Sequence, residues 1–129
     1  SRSGRHGHQA SIALIEPDKQ SMIEIQKVEE GREAAARYIA DALTVVLRES
    51  DVLACRPDGS GIIVLLPETD ATGAAVAADR MQSRFERTNL VLPDGSGAAI
   101  PIDVAVATYP RDGRDAQELM NHVTTLVKE

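Results

Sequence analysis

Two apolar runs, VLAC at 52–55 and IIVLL at 62–66, flank Pro57-Asp58-Gly59-Ser60-Gly61 and constrain the fold more than any other stretch. Proline fixes φ at the first turn position, aspartate hydrogen-bonds to nearby backbone, and glycine tolerates positive φ. The pentad therefore predicts a β-hairpin. IIVLL is rich in β-branched residues and has no polar position, which suits a central strand buried on both faces. A hairpin in mid-chain between helical segments predicts a sheet with helices packed on it.

The flanking segments supply those elements. Residues 11–16, SIALIE, read as the first strand. Pro17 ends it and suits the first position of a helix. Residues 21–30 carry Met22, Ile25 and Val28 at helical spacing. Residues 31–49 form the clearest helix, with Ala35, Ile39, Ala42, Leu43, Val46 and Leu47 in one stripe. Gly31 is a mild breaker, so the two segments are either one long helix or two. Thr69 or Asp70 can cap a helix over 71–87, with Ala74, Ala78, Met81 and Phe85 as its inner stripe. Residues 89–91 read as a short strand and Pro93-Asp94-Gly95-Ser96-Gly97 as a second hairpin turn. A long return strand follows over 98–108, with Ile100, Ile102, Val104 and Val106 on one face. Asp115 caps a last helix that turns Ala116, Leu119, Met120, Val123 and Leu126 inward. The order is β-α-α-β-β-α-β-β-α, an α/β (α+β) fold with a mixed, largely antiparallel sheet flanked by helices.

A chain of 129 residues can bury one real core. That domain is placed at 11–129. Residues 1–10, SRSGRHGHQA, read as a linker or an added remnant, and their two histidines as no metal site. Aromatics make up 2% of the chain, so the core is aliphatic and no base-stacking platform is available. Net charge is −6 with no basic tract beyond the first residues, which argues against nucleic acid as a partner. Cys55 is alone, so there is no disulfide framework, and its place in a strand predicts a small buried hydrophobe. No segment has the length of a membrane span, so no membrane contact and a cytoplasmic location are expected. The start at Ser-Arg-Ser, without Met, points to a piece of a larger protein.

The pattern RxSDxxAxR over 48–56, the hairpin, and xxVLLPxTD up to Asp70 resemble the GGDEF domain of diguanylate cyclases. TYPRDGRDAQEL over 108–119 is similar to that family's late strand, loop and last helix. The resemblance spans residues 11–128 and implies the family's nucleotidyl-cyclase-like plan, an antiparallel-centred sheet wrapped by helices, in a bacterial signalling protein. Diguanylate cyclases join two GTP molecules into cyclic di-GMP, using metal ions that take hard carboxylate oxygens. The family's turn reads Gly-Gly-Asp/Glu-Glu-Phe. Asp58, Gly59, Ser60, Gly61 and Ile62 align with it, so Ser60 and Gly61 stand where its acids belong. Six residues separate Asp51 from Asp58, one more than the family has before its motif. The family's first metal-binding Asp corresponds to Glu16. Its guanine-reading Asn and Asp fall on Glu24 and Ile25, and the phosphate-holding Lys of its last helix has only Lys128 as a loose counterpart.

The resemblance therefore implies a degenerate GGDEF domain: not an enzyme, without catalytic residues or cofactor, and with Glu16 and Asp18 as weak metal candidates. Its expected work is regulation or docking, with other domains of the same protein or a second copy of this chain as partners. The alternative is a cyclic di-GMP receptor. Arg48-Glu49-Ser50-Asp51 matches the Arg-x-x-Asp motif at which many family members bind that product. Arginine offers bidentate hydrogen bonds to phosphate or a guanine edge, and aspartate accepts from guanine N–H groups. Arg80 on the following helix is expected to face the same pocket. The four residues also read as ordinary helix-end punctuation. A third reading, an active nucleotidyl cyclase, needs a rearranged metal site of Glu16, Asp18 and Asp58.

Overall fold

SIALI is the segment on which the fold closes. In the computed structural model, which describes residues 8–56 and 61–128, it forms the centre of β1 (Ala10–Pro17), and Ser11, Ile12, Ala13, Leu14 and Ile15 are all buried. The chain continues through α1 (Lys19–Gln26), α2 (Gly31–Val46), β2 (Val52–Cys55), β3 (Ile62–Leu66), α3 (Ala71–Glu86), β4 (Leu90–Val91), β5 (Gly97–Ala98), β6 (Ile102–Tyr109) and α4 (Ala116–Lys128). The main sheet runs β2-β3-β1-β6, and each neighbouring pair is antiparallel. Ala13, Ile15, Val64 and Leu66 face a core closed by Ile25, Leu43, Met81 and Phe85 from the first three helices. Ile12, Leu14, Ala105 and Ala107 face Leu119 and Val123 of α4 on the other side. Burying each such aliphatic side chain is worth about 1.5–3 kcal/mol, so the two faces of β1 hold the layers together.

Four expectations change in the strands and in α4. IIVLL is an inner strand, but only one of its faces is covered: Ile62, Val64 and Leu66 are buried, while Leu65 is 42% exposed. α4 packs over β1 and β6, so the outer side of β2 and β3 stays partly open. Cys55 is exposed rather than buried, because β2 is a four-residue edge strand. The long return strand is split. Pro101 has no N–H to continue a ladder, so β5 pairs with β4 in a separate ribbon and β6 starts afresh at Ile102. In α4 the stripe is Leu119, Val123 and Val127. Ala116 and Leu126 are exposed, at the helix start and on the flank of the stripe.

The caps explain the helix ends. Asp18, not Pro17, starts α1: its Oδ2 accepts from Ser21 N–H at 2.9 Å, and Pro17 remains in the strand. α1 and α2 are separate helices. Glu30 turns the chain at φ 61°, and a Cβ on Gly31 would lie 2.1 Å from the Ile25 carbonyl oxygen. Asp70 caps α3 through Gly73 N–H, and Asp115 caps α4 through Glu118 N–H. Ser11 Oγ joins the Thr69 carbonyl and the Thr108 hydroxyl, both at 2.8 Å, so the buried hydroxyls tie β1, β6 and the approach to α3.

Candidate functional site: the hairpin bend and the Arg48–Asp51 turn

The bend between β2 and β3 brings three residues into one row. The β1–β3 ladder ends at Ile15 opposite Ile62, and the β2–β3 ladder ends at Cys55 opposite Ile62. One position further along, Glu16, Gly61 and Arg56 line up, and Arg56 N–H donates to the Gly61 carbonyl at 2.9 Å. Side chains alternate between faces, so this row lies on the face of Leu14 and α4. Arg56 Nη1 donates to Glu16 Oε2 at 3.4 Å, with the two side chains 22% and 24% exposed. Gly61 lies between them. A Cβ there would come within 2.6 Å of the Ile15 carbonyl oxygen and 3.2 Å of Glu16 Cγ.

The described residues here do not assemble a site for a divalent cation. Glu16 already has a cationic partner in Arg56. Asp18 spends one oxygen on Ser21 N–H and Ser21 Oγ–H, both at 2.9 Å. The Ser21 N–H, with the hydroxyl second, holds the Asp18 carboxyl below the usual carboxylate range. Gly61 has no side chain to offer. Among the described residues, no three His, Cys, Asp or Glu side chains converge. Asp58, Gly59 and Ser60 of the aligned turn lie outside the described residues.

On the opposite face of the bend is a cavity of about 230 Å³, lined by Met22, Arg32, Ile39, Cys55 and Ile62 among others. The two positions aligned with guanine readers lie elsewhere. Glu24 is exposed and paired with Lys27 at 3.1 Å, and Ile25 is a core residue. Both line a groove between α1 and the β4–β5 ribbon.

The Arg48–Asp51 turn is built differently. Asp51 Oδ1 accepts from Arg48 Nε at 3.0 Å and Nη2 at 2.7 Å, and Asp51 Oδ2 accepts from Arg48 N–H at 2.8 Å. Nη2 also donates to the Pro67 carbonyl at 3.0 Å and to Thr69 Oγ1 at 2.9 Å. Arg48 thus ties the end of α2 to the loop before α3. Asp51, through these hydrogen bonds, raises the already high pKa of the guanidinium, so its charge is permanent. The Asp51 side chain is 3% exposed and that of Arg48 is 51% exposed. Beside them opens a cavity of about 450 Å³, lined by His8, Gln9, Arg48, Glu68, Thr69, Asp70 and Gly73. Arg80 is exposed on α3 and lines none of the cavities at Arg48. It lies seven residues past Gly73, about 10 Å along the helix axis.

The structure therefore brings Arg48 and Asp51 together, leaves Arg80 apart, and joins Glu16 to Arg56, which sequence reasoning missed. Forty residues separate that pair. The signal was in the register: strands that pair at Ile62 place the residues after Ile15 and Cys55 beside each other.

The chain matches the family model described as diguanylate cyclase, GGDEF domain, over residues 4–129. No curated protein matches it in sequence. Among solved structures, the isolated GGDEF domain of TpbB (or YfiN) from Pseudomonas aeruginosa is similar, with TM-score 0.83 and 24% identity, covering 96% of this chain and 72% of that one. The GGDEF domain of DgcB from Caulobacter crescentus, in complex with c-di-GMP, aligns with TM-score 0.78 and 16% identity over 96% of this chain and 72% of that one. The diguanylate cyclase SiaD of Pseudomonas aeruginosa, in complex with its activator SiaC, aligns with TM-score 0.78 and 21% identity over 96% of this chain and 46% of that one. The mixed fold, the sheet centred on β1 and the match over almost the whole sequence give one answer: this chain belongs to the GGDEF family.

Proposed function

We propose that this chain is a catalytically inactive GGDEF domain that acts as a regulatory or docking module of a larger, cytoplasmic bacterial signalling protein. The observation that carries the reading is the aligned signature turn, where Ser60 and Gly61 stand at the positions of two carboxylates. Phosphoryl transfer in this family depends on cations held by carboxylates. Here the aligned first-strand acid faces a guanidinium, and the aligned turn acids are Ser60 and Gly61. An active cyclase built on Glu16, Asp18 and Asp58 is disfavoured, because Asp18 serves as the cap of α1. The module's partners are other domains of its own protein or a second copy of the chain. The SiaD complex with SiaC gives a precedent for a partner docked on a protein of this fold. No helix among the described residues is long and apolar enough to cross a membrane.

A second reading, cyclic di-GMP reception at Arg48 and Asp51, is favoured by the open cavity beside Arg48. The DgcB complex offers a parallel in a protein of the same fold. Against it, Nε and Nη2 of Arg48 are already engaged by Asp51, Pro67 and Thr69, and Glu68 and Asp70 line the cavity with negative charge. Incubation with GTP and magnesium tests the main reading. Pyrophosphate release no faster than in a protein-free blank is expected, and measurable turnover overturns it. Sedimentation over a range of concentrations then separates self-association from docking to other domains.

A further inference from the structure

We propose that β2 is a self-association edge: two copies of this chain join there, β2 against β2 and antiparallel, around a two-fold axis at Ala54. This names a partner for the docking module proposed above and rests on that reading. β2 closes one side of the main sheet and pairs only with β3. Arg56 N–H donates to the Gly61 carbonyl, and backbone groups alternate in direction along a strand. Val52, Ala54 and Arg56 therefore turn their N–H and C=O groups to β3. Leu53 and Cys55 turn theirs outward, and among the described residues no backbone group takes them. Such an edge is ordinarily blunted by charge, proline or a bulge. β2 has none of these: it reads Val-Leu-Ala-Cys in unbroken register, with Val52, Ala54 and Cys55 exposed. The opposite edge of the sheet is better protected. β6 carries the exposed Asp103, and Asp112 takes both outward groups of Thr108, accepting from its N–H at 2.8 Å and donating to its carbonyl at 2.7 Å.

Charge points to the occupant. Each copy has a net charge of −6, so two copies meet best where no like charges face each other. Outward backbone groups must meet outward backbone groups. Leu53 and Cys55 of one copy then pair with Cys55 and Leu53 of the other, each pair exchanging both of its N–H···O bonds. Ala54 faces Ala54 on the axis, and Val52 faces Arg56. Arg56, the one charge within this register, comes to the end of the second strand that carries Asp51 and the exposed Glu49. A parallel arrangement would instead set each acidic end on its like. Val52 and Ala54 lie opposite Leu65 and Ile63, on the sheet face that α4 leaves partly open. The two-fold axis joins the two open faces into one apolar strip.

The test follows association of the purified chain by sedimentation from micromolar to millimolar concentration. The wild type is expected to dimerise within that range. Ala54→Asp sets two carboxylates against each other on the axis and is expected to weaken the dimer by about tenfold or more. Ala54 is exposed, so this variant should keep the wild-type circular dichroism. Cross-linking reads the register without relying on that variant. In a Cys55→Ser background, Ala54→Cys places its thiol opposite its own copy. Directly opposed residues of this kind lie about 4.5 Å apart at Cα, within disulfide range, so oxidation should give a covalent dimer. Val52→Cys in the same background should not, because its copies lie about 14 Å apart. A wild-type chain that stays monomeric at millimolar concentration overturns the proposal and leaves other domains as the partner. So does a dimer that Ala54→Asp leaves intact, or one in which Val52→Cys cross-links as readily as Ala54→Cys. No nucleotide is involved, so a failure here is distinct from a failure of the non-catalytic reading, which pyrophosphate release decides.

Discussion

The bend and the Arg48–Asp51 turn each place an arginine on a carboxylate, but they reach that state from opposite directions. At the bend, Glu16 is met by Arg56 from across the sheet. At the turn both motif residues are present, three positions apart, and they bind each other. The first pair is long-range and depends on strand register. The second is local and would form at almost any helix end that carried the same four residues. At the turn Nε and Nη2 of Arg48 are already used, while its side chain stays 51% exposed.

The contrast predicts different costs of breakage. The largest is steric: Gly61→Val should lower unfolding stability by about 3 kcal/mol in a urea titration, because the added carbons press on Ile15 backbone. Asp51→Ala comes next, at about 2 kcal/mol, since it removes a nearly buried acceptor of the Arg48 backbone and side chain. A cost near zero would mean that the Arg48–Asp51 geometry is incidental, and would free the arginine for a ligand. Arg56→Met should cost about 1 kcal/mol, less because the pair is long and partly solvated. A double-mutant cycle with Glu16→Gln isolates the coupling from the lost packing of the arginine stem.

The smallest effect concerns Asp18. Its folded-state pKa is depressed, so its contribution is present above the unfolded carboxylate pKa of about 4 and disappears as the pH falls through the lower folded value. Asp18→Asn should flatten that acid limb of the stability curve while leaving α1 intact at neutral pH, because asparagine is an equally good cap. Large destabilisation of Asp18→Asn at neutral pH would show that the carboxylate has work beyond capping.

Much of the fold was legible because it is local. Apolar runs and turn chemistry located β2 and β3, and Asp70 and Asp115 marked two helix starts. What was not legible depends on where distant pieces land. The exposure of Leu65 follows from α4 packing over β1 and β6, which the run IIVLL cannot encode. Cys55 was misjudged for the same reason, since an edge strand and an inner strand share one local pattern. The split at Pro101 was readable in principle, because proline cannot donate in mid-ladder, and period-two spacing outweighed it. At the candidate site, the family resemblance singled out Arg48 and Asp51, which the structure joins. It did not reveal that Glu16 pairs with Arg56, because that contact exists only once three strands are in register.

The most direct test of the central claim is a crystal of this chain grown with manganese and a non-hydrolysable GTP analogue, examined by anomalous diffraction. The account predicts no manganese peak near Glu16 and the Arg56 guanidinium still on its carboxylate. A manganese ion coordinated by Glu16 beside a bound triphosphate would contradict it.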